Sequence, residues 1–221
     1  MNEPVARGHP RRYTQLPRYF RWFSEHCVLR QLDESDVARI LEAALHPACD
    51  GCGTMAAPRS ADDVAQFVRA AQADWQRGAR YAMALVRKQT HEFVGWVELR
   101  ATAERGAWLL DWFVHPRFAG TAIAGEAVTA AADLMFSALD AQRLLASCPP
   151  GHAAVERALN DAGFIELAPA GSVDRATGCA RPHALHELGR RDWLAMCRER
   201  EALPAPAAGA TFGRRMELAL A

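Results

Sequence analysis

A glycine-containing loop separates a strand-like segment from a helix-like segment in residues 107–139. The apolar run AWLLDWFV is followed by HPRFAGTAIAGEA, which leads into an alanine-rich stretch. A strand that ends at Val114 and a helix that begins near Ala122 leave the first N–H groups of the helix without helical acceptors, directed at the loop. The helix dipole favours negative charge there, and Gly120 has no side chain to keep a phosphate from the backbone. The stretch therefore predicts an anion site.

The common nucleotide-binding loops do not match this stretch. GTAIAG contains no lysine, so the GxxxxGK pattern is absent. A GxGxxG motif that started at Gly120 would need a glycine in place of Ala122, and no parallel βαβ opening precedes it. The anion is therefore not predicted to be a nucleotide bound in either of these two ways.

Two carboxylates near the loop are candidate catalytic bases. Asp111 interrupts the apolar strand AWLLDWFV, where an unpaired charge is costly, so it either faces an open cleft or pairs with an arginine. Glu98 lies late in FVGWVELRA and either points into the same region or is a solvated position at the end of a hairpin strand. A carboxylate that faces a cleft can accept a proton from a substrate.

The net charge and the lengths of the apolar runs exclude several classes of protein. The chain has 26 basic and 26 acidic residues, so no global field attracts nucleic acid or an anionic membrane. No apolar run approaches the roughly 18 residues that span a bilayer, and MNEPVARGHPRRY lacks the apolar core of a signal peptide. We therefore expect a cytoplasmic protein with no membrane partner.

The six cysteines are too sparse for a disulfide scaffold in 221 residues. Cys49 and Cys52 form one CxxC with His46 nearby. Zinc sites need a fourth ligand that the sequence does not offer, so we interpret PACDGCG as an ordinary loop and expect no metal.

The first 26 residues combine arginines with aromatic side chains, among them Tyr13, Phe20 and Trp22. Such a segment can bind RNA by charge and stacking. The alternative, which we favour, is a strap whose aromatic residues pack on the domain while the arginines stay in water.

The spacing of apolar residues predicts one α/β domain with a mixed sheet. Before the loop we expect a strand at 28–32, helices at 34–45 and 60–78, a strand hairpin and the central strand AWLLDWFV. After the loop we expect a helix from 123 to about 141, a strand at 143–148, a helix at 153–164, two closing strands and a short helix from RRDW. Ser60 is predicted to cap the second helix. The predicted divisions are a strap at 1–26, the domain at 27–197 and an Ala/Pro-rich extension at 198–221.

The chain resembles the GNAT N-acetyltransferases. RFAGTA matches their pyrophosphate motif, Q/R-x-x-G-x-G/A, with Arg117, Gly120 and Ala122 at its fixed positions. WFVHPRFAGTAIAGEA is similar to the HPxYWGKGYATEA segment of the branch that acetylates ribosomal-protein N-termini. VLRQLDESDVARI, RLLASCPPGHAAVERALNDAGF and HELGRRDW resemble further segments of that branch in the same order, over roughly residues 27–194.

The resemblance implies a GNAT fold, in which two central parallel strands splay apart and acetyl-CoA lies in the gap. The strand before the loop then contacts the pantetheine and thioester, and the loop amides hold the pyrophosphate. The implied cofactor-binding residues are Phe113, Val114, Arg117, Phe118, Ala119, Gly120, Thr121, Ala122 and His152.

The histidines and tryptophans are weaker candidates. His115 is interpreted as a turn residue. His183 and His186 lie on the closing strand that borders acceptor sites in the family, and are candidates for substrate contact. We expect at least three of four tryptophans to belong to the core rather than to an acceptor site. These are Trp75, Trp96, Trp108 and Trp112.

Two positions depart from the family pattern. His152 replaces an asparagine that binds pantetheine, and it can still donate or accept one hydrogen bond. Val155 replaces a serine that is a candidate to protonate the leaving thiolate, and valine cannot transfer a proton.

Three functional hypotheses follow. The first is an acetyl-CoA-dependent N-acetyltransferase for a primary amine, which is a protein N-terminus, an amino acid, a polyamine or an aminoglycoside. The second is a module that binds CoA without turnover, and the third is an RNA- or ribosome-associated protein. The expected partner is the amine acceptor, nucleic acid is not favoured, and a homodimer is left open.

Overall fold

The computed structural model describes residues 12–46, 60–118, 120–149, 151–167, 170–173 and 180–202. The CxxC at Cys49 and Cys52, the loop residue Ala119 and the extension from residue 203 onward lie outside these ranges.

Nine strands are found in the described residues, and their order along the chain agrees with the predicted mixed α/β architecture. They are β1 (Arg21–Phe23), β2 (Cys27–Gln31), β3 (Arg80–Arg87), β4 (Phe93–Ala101), β5 (Ala107–Val114), β6 (Arg143–Cys148), β7 (Ile165–Glu166), β8 (Ala170–Val173) and β9 (Ala180–Gly189). The segment IELAPAG, predicted as one closing strand, contains the short strand β7 and the start of β8 instead.

Five α-helices lie between or after these strands. They are α1 (Val37–Ala44), α2 (Ala61–Gln76), α3 (Ile123–Ala138), α4 (Ala153–Asp161) and α5 (Arg190–Ala202). Ser60 caps α2 as predicted, since its side chain accepts from the N–H of Asp63 at 3.1 Å. Short 3-10 turns at Glu34–Asp36 and Pro116–Phe118 precede α1 and the loop that leads to α3.

The sheet has the order β1-β2-β3-β4-β5-β6-β9-β7, and β8 pairs with β9. All neighbouring strands are antiparallel except β5 and β6, which are parallel. A parallel connection needs a crossover, and α3 supplies it between β5 and β6. The strand AWLLDWFV is therefore central, as predicted.

The parallel pair β5–β6 separates halfway along its length. The paired positions run from Ala107 with Arg143 to Leu110 with Ala146. β5 continues to Val114 and β6 to Cys148, but these ends are not paired with each other. The result is a gap between the carboxyl ends of the two strands, which is the splayed arrangement that the resemblance implied.

Helices cover both faces of the sheet. On one face, α1 and α2 enclose an apolar cluster that includes Ile40, Val68 and Trp96. On the other face, α3, α4 and α5 contribute Phe136, Leu159 and Trp193 to the larger core. Trp75 and Trp96 are buried, while Trp108 and Trp112 pack against the larger core, in agreement with the core interpretation of the tryptophans.

Residues 12–26 pack onto the domain and add a strand that the sequence did not predict. Leu16 and Phe20 are buried, and the Leu16 carbonyl accepts from the indole N–H of Trp75 at 3.1 Å. β1 pairs with β2 in an antiparallel register. The aromatic and apolar side chains of this segment therefore stabilise the fold.

Within the ranges that the structure describes, no helix is long and apolar enough to cross a bilayer.

Candidate active site

The predicted anion loop connects β5 to α3. The His115 N–H donates to the Val94 carbonyl at 2.8 Å and fixes the exit of the strand. The 3-10 turn Pro116–Phe118 follows, and α3 begins at Ile123 with Ala122 at the N-cap position. The Ala122 side chain makes no capping hydrogen bond. The Ile123 N–H donates to the Thr121 hydroxyl at 3.4 Å, and the amides that follow it in the first turn are suited to a ligand.

Gly120 adopts φ +77°, and a Cβ built on it meets no heavy atom within 4 Å. Positive φ is strained for residues with a Cβ, which explains a glycine at this position. The open space in front of it leaves the loop backbone accessible, as a phosphate site requires.

Three of the amides that were predicted to bind pyrophosphate are already used inside the loop. The N–H of Arg117 donates to the His115 Nδ1 at 3.1 Å, Phe118 to the His115 carbonyl at 2.8 Å and Thr121 to the Phe118 carbonyl at 3.2 Å. The Ile123 N–H also has an acceptor, the Thr121 hydroxyl at 3.4 Å. Among the residues described around the loop, this leaves Gly120, Ala122 and the amides of α3 that follow Ile123 as donors. The Arg117 side chain is 59% exposed and pairs with Glu92 at 2.7 Å.

His115 holds the shape of this loop. Its side chain is buried, and burial lowers the pKa of its imidazole below the reference value of 6.5. The Nδ1 atom accepts from the Arg117 N–H, which requires a neutral ring with its proton on Nε2. The position of His115 agrees with its interpretation as a turn residue.

Acidification is expected to weaken acetyl-CoA binding through His115. Because the folded-state pKa is lowered, the contribution of the neutral ring is complete above pH 6.5 and is lost as the pH falls through the lowered pKa of the folded state. One lost hydrogen bond of about 1 kcal/mol corresponds to a rise of about fivefold in KM for acetyl-CoA. His115→Asn, whose side-chain oxygen can still accept from the Arg117 N–H, should give a flatter pH profile. An equally steep profile for this variant would assign the effect to another group.

The gap exposes one edge of β5. Residues 111–114 are half-buried and are paired with β4, where Phe113 lies opposite Trp96 and Val114 opposite Gly95. On the β6 side they have no partner strand. An unpaired strand edge offers N–H and C=O groups to an extended chain that carries amides. The backbone of Phe113 and Val114 can hold such a chain.

Gly95 makes the close approach of β4 to this edge possible, and sequence reasoning missed it. Its φ is +157°, and a Cβ built on it would lie 2.0 Å from the Phe113 carbonyl oxygen. The pairing of β3 with β4 is irregular at the same point. A glycine inside an otherwise apolar strand was the available signal, because it often marks a bulge or a close backbone contact.

Glu98 lies opposite Asp111 in the β4–β5 register, but it is enclosed by arginines. Its side chain is 8% exposed; Oε2 lies 2.7 Å from the Arg80 guanidinium and Oε1 lies 3.0 Å from Nε of Arg100. The solvated position considered from the sequence is wrong, since Glu98 is the buried centre of an ion cluster.

Asp111 is the first residue of β5 beyond the last pair with β6. It is half-buried, and its Oδ1 accepts from the Trp112 N–H at 3.0 Å. It therefore lies where the gap opens, on the same face of the sheet as Glu98.

The remaining candidates lie around the ends of β6 and β9. His152 precedes α4 at its N-cap position, and its carbonyl accepts from the Val155 N–H at 2.9 Å. Val155 is partly buried against the core. His183 is half-buried, whereas His186 is buried opposite Ala146. No cluster of His, Cys, Asp or Glu suited to a metal ion occurs among the described residues.

The model of the acetyltransferase (GNAT) domain family matches residues 26–165. The chain belongs to the GNAT acetyltransferase family. It is therefore an acyltransferase that uses acetyl-CoA as cosubstrate.

Solved GNAT structures share the fold at low sequence identity. The ribosomal-protein-S5-alanine acetyltransferase from Vibrio fischeri is 18% identical, with a TM-score of 0.68 over 79% of this chain and 98% of that one. Mycobacterium smegmatis RimJ, solved in complex with CoA-disulfide, is 17% identical, with a TM-score of 0.67 over 81% of this chain and 94% of that one. A spermidine N-acetyltransferase chimera from Vibrio cholerae and hSSAT is 15% identical, with a TM-score of 0.62 over 76% and 98% of the two chains. No curated protein matches the chain at a significant level.

Proposed function

We propose that this GNAT enzyme transfers the acetyl group of acetyl-CoA to a primary amine, and that the preferred acceptor class is a protein N-terminus. The observation that carries the proposal is one continuous surface. The edge of β5 at Phe113 and Val114, beyond the last pair with β6, leads through the open backbone at Gly120 to the start of α3. An extended amide-containing arm that ends in a pyrophosphate is complementary to this surface.

The residues present fit acetyl-CoA. The amides of Gly120, Ala122 and the first turn of α3 are suited to the pyrophosphate, and the backbone of Phe113 and Val114 is suited to the pantetheine amides. We assign one further hydrogen bond to the side chain of His152, which lies at the start of α4. Acetyl-CoA supplies an activated thioester, and the strand edge orients and polarises its carbonyl.

The acceptor amine must lose a proton during transfer, and we assign the acceptor of that proton to Asp111, directly or through water. The alternative base, Glu98, has both oxygens engaged by the guanidinium groups of Arg80 and Arg100. We therefore assign Glu98 a supporting role, in which its ion cluster fixes β4 beside Asp111.

The choice of acceptor is supported only by similarity to other members of the family. The segments that resemble the ribosomal-protein branch and the S5-alanine acetyltransferase neighbour favour a protein N-terminus, while the spermidine N-acetyltransferase neighbour keeps a polyamine as the alternative small acceptor. We place the reaction in the cytoplasm, as the sequence predicts.

A second candidate function is a CoA-binding module without turnover. It is favoured by His152 and Val155, since Val155 cannot protonate a leaving thiolate. CoA release should be measured with a panel that contains N-terminal peptides of ribosomal proteins, spermidine, amino acids and an aminoglycoside. Release with one class supports transfer and identifies the acceptor. Calorimetric binding of acetyl-CoA without release on any amine would favour the binding module.

Asp111→Asn is expected to lower kcat by about 100-fold, the usual range for loss of a general base, and to leave the Kd for acetyl-CoA unchanged. The matched variant is Glu98→Gln, which removes a charge from the facing position. Because it removes the charge that pairs with Arg80 and Arg100, it should lower the free energy of unfolding and reduce kcat less than Asp111→Asn does. A larger loss of kcat in Glu98→Gln would transfer the role of base to Glu98.

A further inference from the structure

The turn between β1 and β2 is attached to the first turn of α3 by one carboxylate. Glu126 lies three residues after the start of α3, and its side chain is 12% exposed. Oε1 accepts from the hydroxyl of Ser24 at 2.5 Å and from the N–H groups of His26 and Cys27 at 2.6 and 3.0 Å. Oε2 lies 2.9 Å from Nδ1 of His26.

The same turn is held from its other side by Lys88, the only lysine of the chain. Its Nζ donates to the carbonyls of Ser24 and Glu25, and its N–H donates to the His26 carbonyl at 2.9 Å. Glu126 thus accepts hydrogen bonds from the turn, and Lys88 donates hydrogen bonds to the carbonyl groups of the turn. The turn bridges the end of β3 and the start of α3.

Glu126 stays ionised although its side chain is buried. Burial alone raises the pKa of Glu126, but hydrogen bonds from Ser24 and His26 outweigh that effect and hold the pKa below 4.5. An ionised carboxylate near the amino end of a helix is favoured by the helix dipole. However, it also repels a pyrophosphate at that helix end, so its presence there needs another reason.

We propose that Glu126 is a positioning residue for the cosubstrate: by tying the β1–β2 turn to α3, it fixes the orientation of the helix start whose amides receive the pyrophosphate. The inference rests on the proposed location of acetyl-CoA at this helix end. By this proposal, the segment that contains β1 supports the binding site through Glu126 without direct contact with the ligand.

Two substitutions of Glu126 separate its role in positioning α3 from the effect of its negative charge. Glu126→Gln removes the charge but keeps an oxygen that can accept the three bonds now made to Oε1. Glu126→Ala removes both. If position matters, Glu126→Ala should raise KM for acetyl-CoA by about tenfold, as expected for the loss of one to two net hydrogen bonds. kcat at saturation should stay within about twofold, and Glu126→Gln should restore KM to within about threefold of the natural enzyme.

The matched control is Asp133→Ala, on the same helix. Asp133 accepts from the indole N–H of Trp193 at 2.8 Å and so ties α5 to α3, two turns beyond Glu126. It should lower Tm as Glu126→Ala does and leave KM for acetyl-CoA unchanged. Lys88→Met, which loosens the turn from the other side, should raise KM in the same direction and serves if Glu126→Ala does not fold.

Three results would overturn the positioning role. The first is a rise of KM in Asp133→Ala equal to that in Glu126→Ala. The second is an unchanged KM in both Glu126→Ala and Lys88→Met. The third is tighter binding of acetyl-CoA by Glu126→Gln, which would show that charge repulsion dominates. Failure of the proposed function has a different signature, because the natural enzyme itself would then release no CoA with any amine, whether or not it binds acetyl-CoA in calorimetry.

Discussion

Gly120→Val is expected to raise KM for acetyl-CoA by about 100-fold with a small change in stability. Gly120 has φ +77°, and a β-branched residue in this region costs about 1–3 kcal/mol of strain. The loop relieves the strain by moving its amides away from the pyrophosphate. The new side chain also occupies the open space that the ligand needs, and together these losses amount to about 2.7 kcal/mol, or two factors of ten.

Gly106→Ala is the matched control for Gly120→Val. Gly106 has φ +81° and lies before β5 at the other end of the strand, where a Cβ would meet the flexible side chain of Gln142 at 2.9 Å. This variant should lower the free energy of unfolding and leave the KM of the folded enzyme unchanged. An unchanged KM in Gly120→Val would exclude the loop from the pyrophosphate site.

Gly95→Ala is expected to destabilise the fold by about 3–5 kcal/mol and to abolish most of the activity. The added Cβ would lie 2.0 Å from the backbone oxygen of Phe113, so no side-chain rotation relieves the contact and β4 must separate from β5. Overpacking of this kind costs about 1–3 kcal/mol, and positive φ adds a similar amount. The edge of β5 that we propose for the pantetheine then moves as well.

Urea unfolding measures the stability loss in Gly95→Ala, and kcat/KM of the fraction that remains folded measures the effect on the edge. Gly106→Ala again serves as control, because its contact is with a flexible side chain rather than with backbone. A Gly95→Ala protein with natural stability and natural acetyl-CoA affinity would contradict the role given to the β4–β5 contact.

The features that could be predicted from the sequence are local ones. The cap at Ser60, the end of β5 at Val114 and the start of α3 near Ala122 depend on neighbouring residues, so turn chemistry and periodicity were sufficient to find them. The prediction of an anion site used the same local pattern. The family resemblance then supplied the predicted identity of the anion, which no spacing rule in the chain contained.

The features that could not be predicted depend on contacts between distant parts of the chain. Glu98 was expected at a solvated or catalytic position, but its burial depends on Arg80, 18 residues away. The role of Glu126 depends on the turn at Ser24, 102 residues away. β1 exists because β2 offers it an edge. Periodicity within a short window carries no information on any of these pairings.

The sequence also did not reveal which loop amides have acceptors within the loop. A motif match treats the amides from Arg117 to Ala122 as one set, whereas the structure shows that His115 and Phe118 already accept from three of them. The sharper expectation is that pyrophosphate affinity depends on Gly120, Ala122 and the start of α3, while the Arg117 amide maintains the loop through His115.

The most direct test of the central claim is a crystal structure of the enzyme with acetyl-CoA. We expect an extended pantetheine arm along Phe113 and Val114 and a pyrophosphate at the amides of Gly120 and Ala122. We also expect that an amine at near-attack distance from the thioester carbon, about 3–3.5 Å, can reach Asp111 directly or through one water. An empty gap at saturating acetyl-CoA, or a cosubstrate bound elsewhere on the protein, would contradict it.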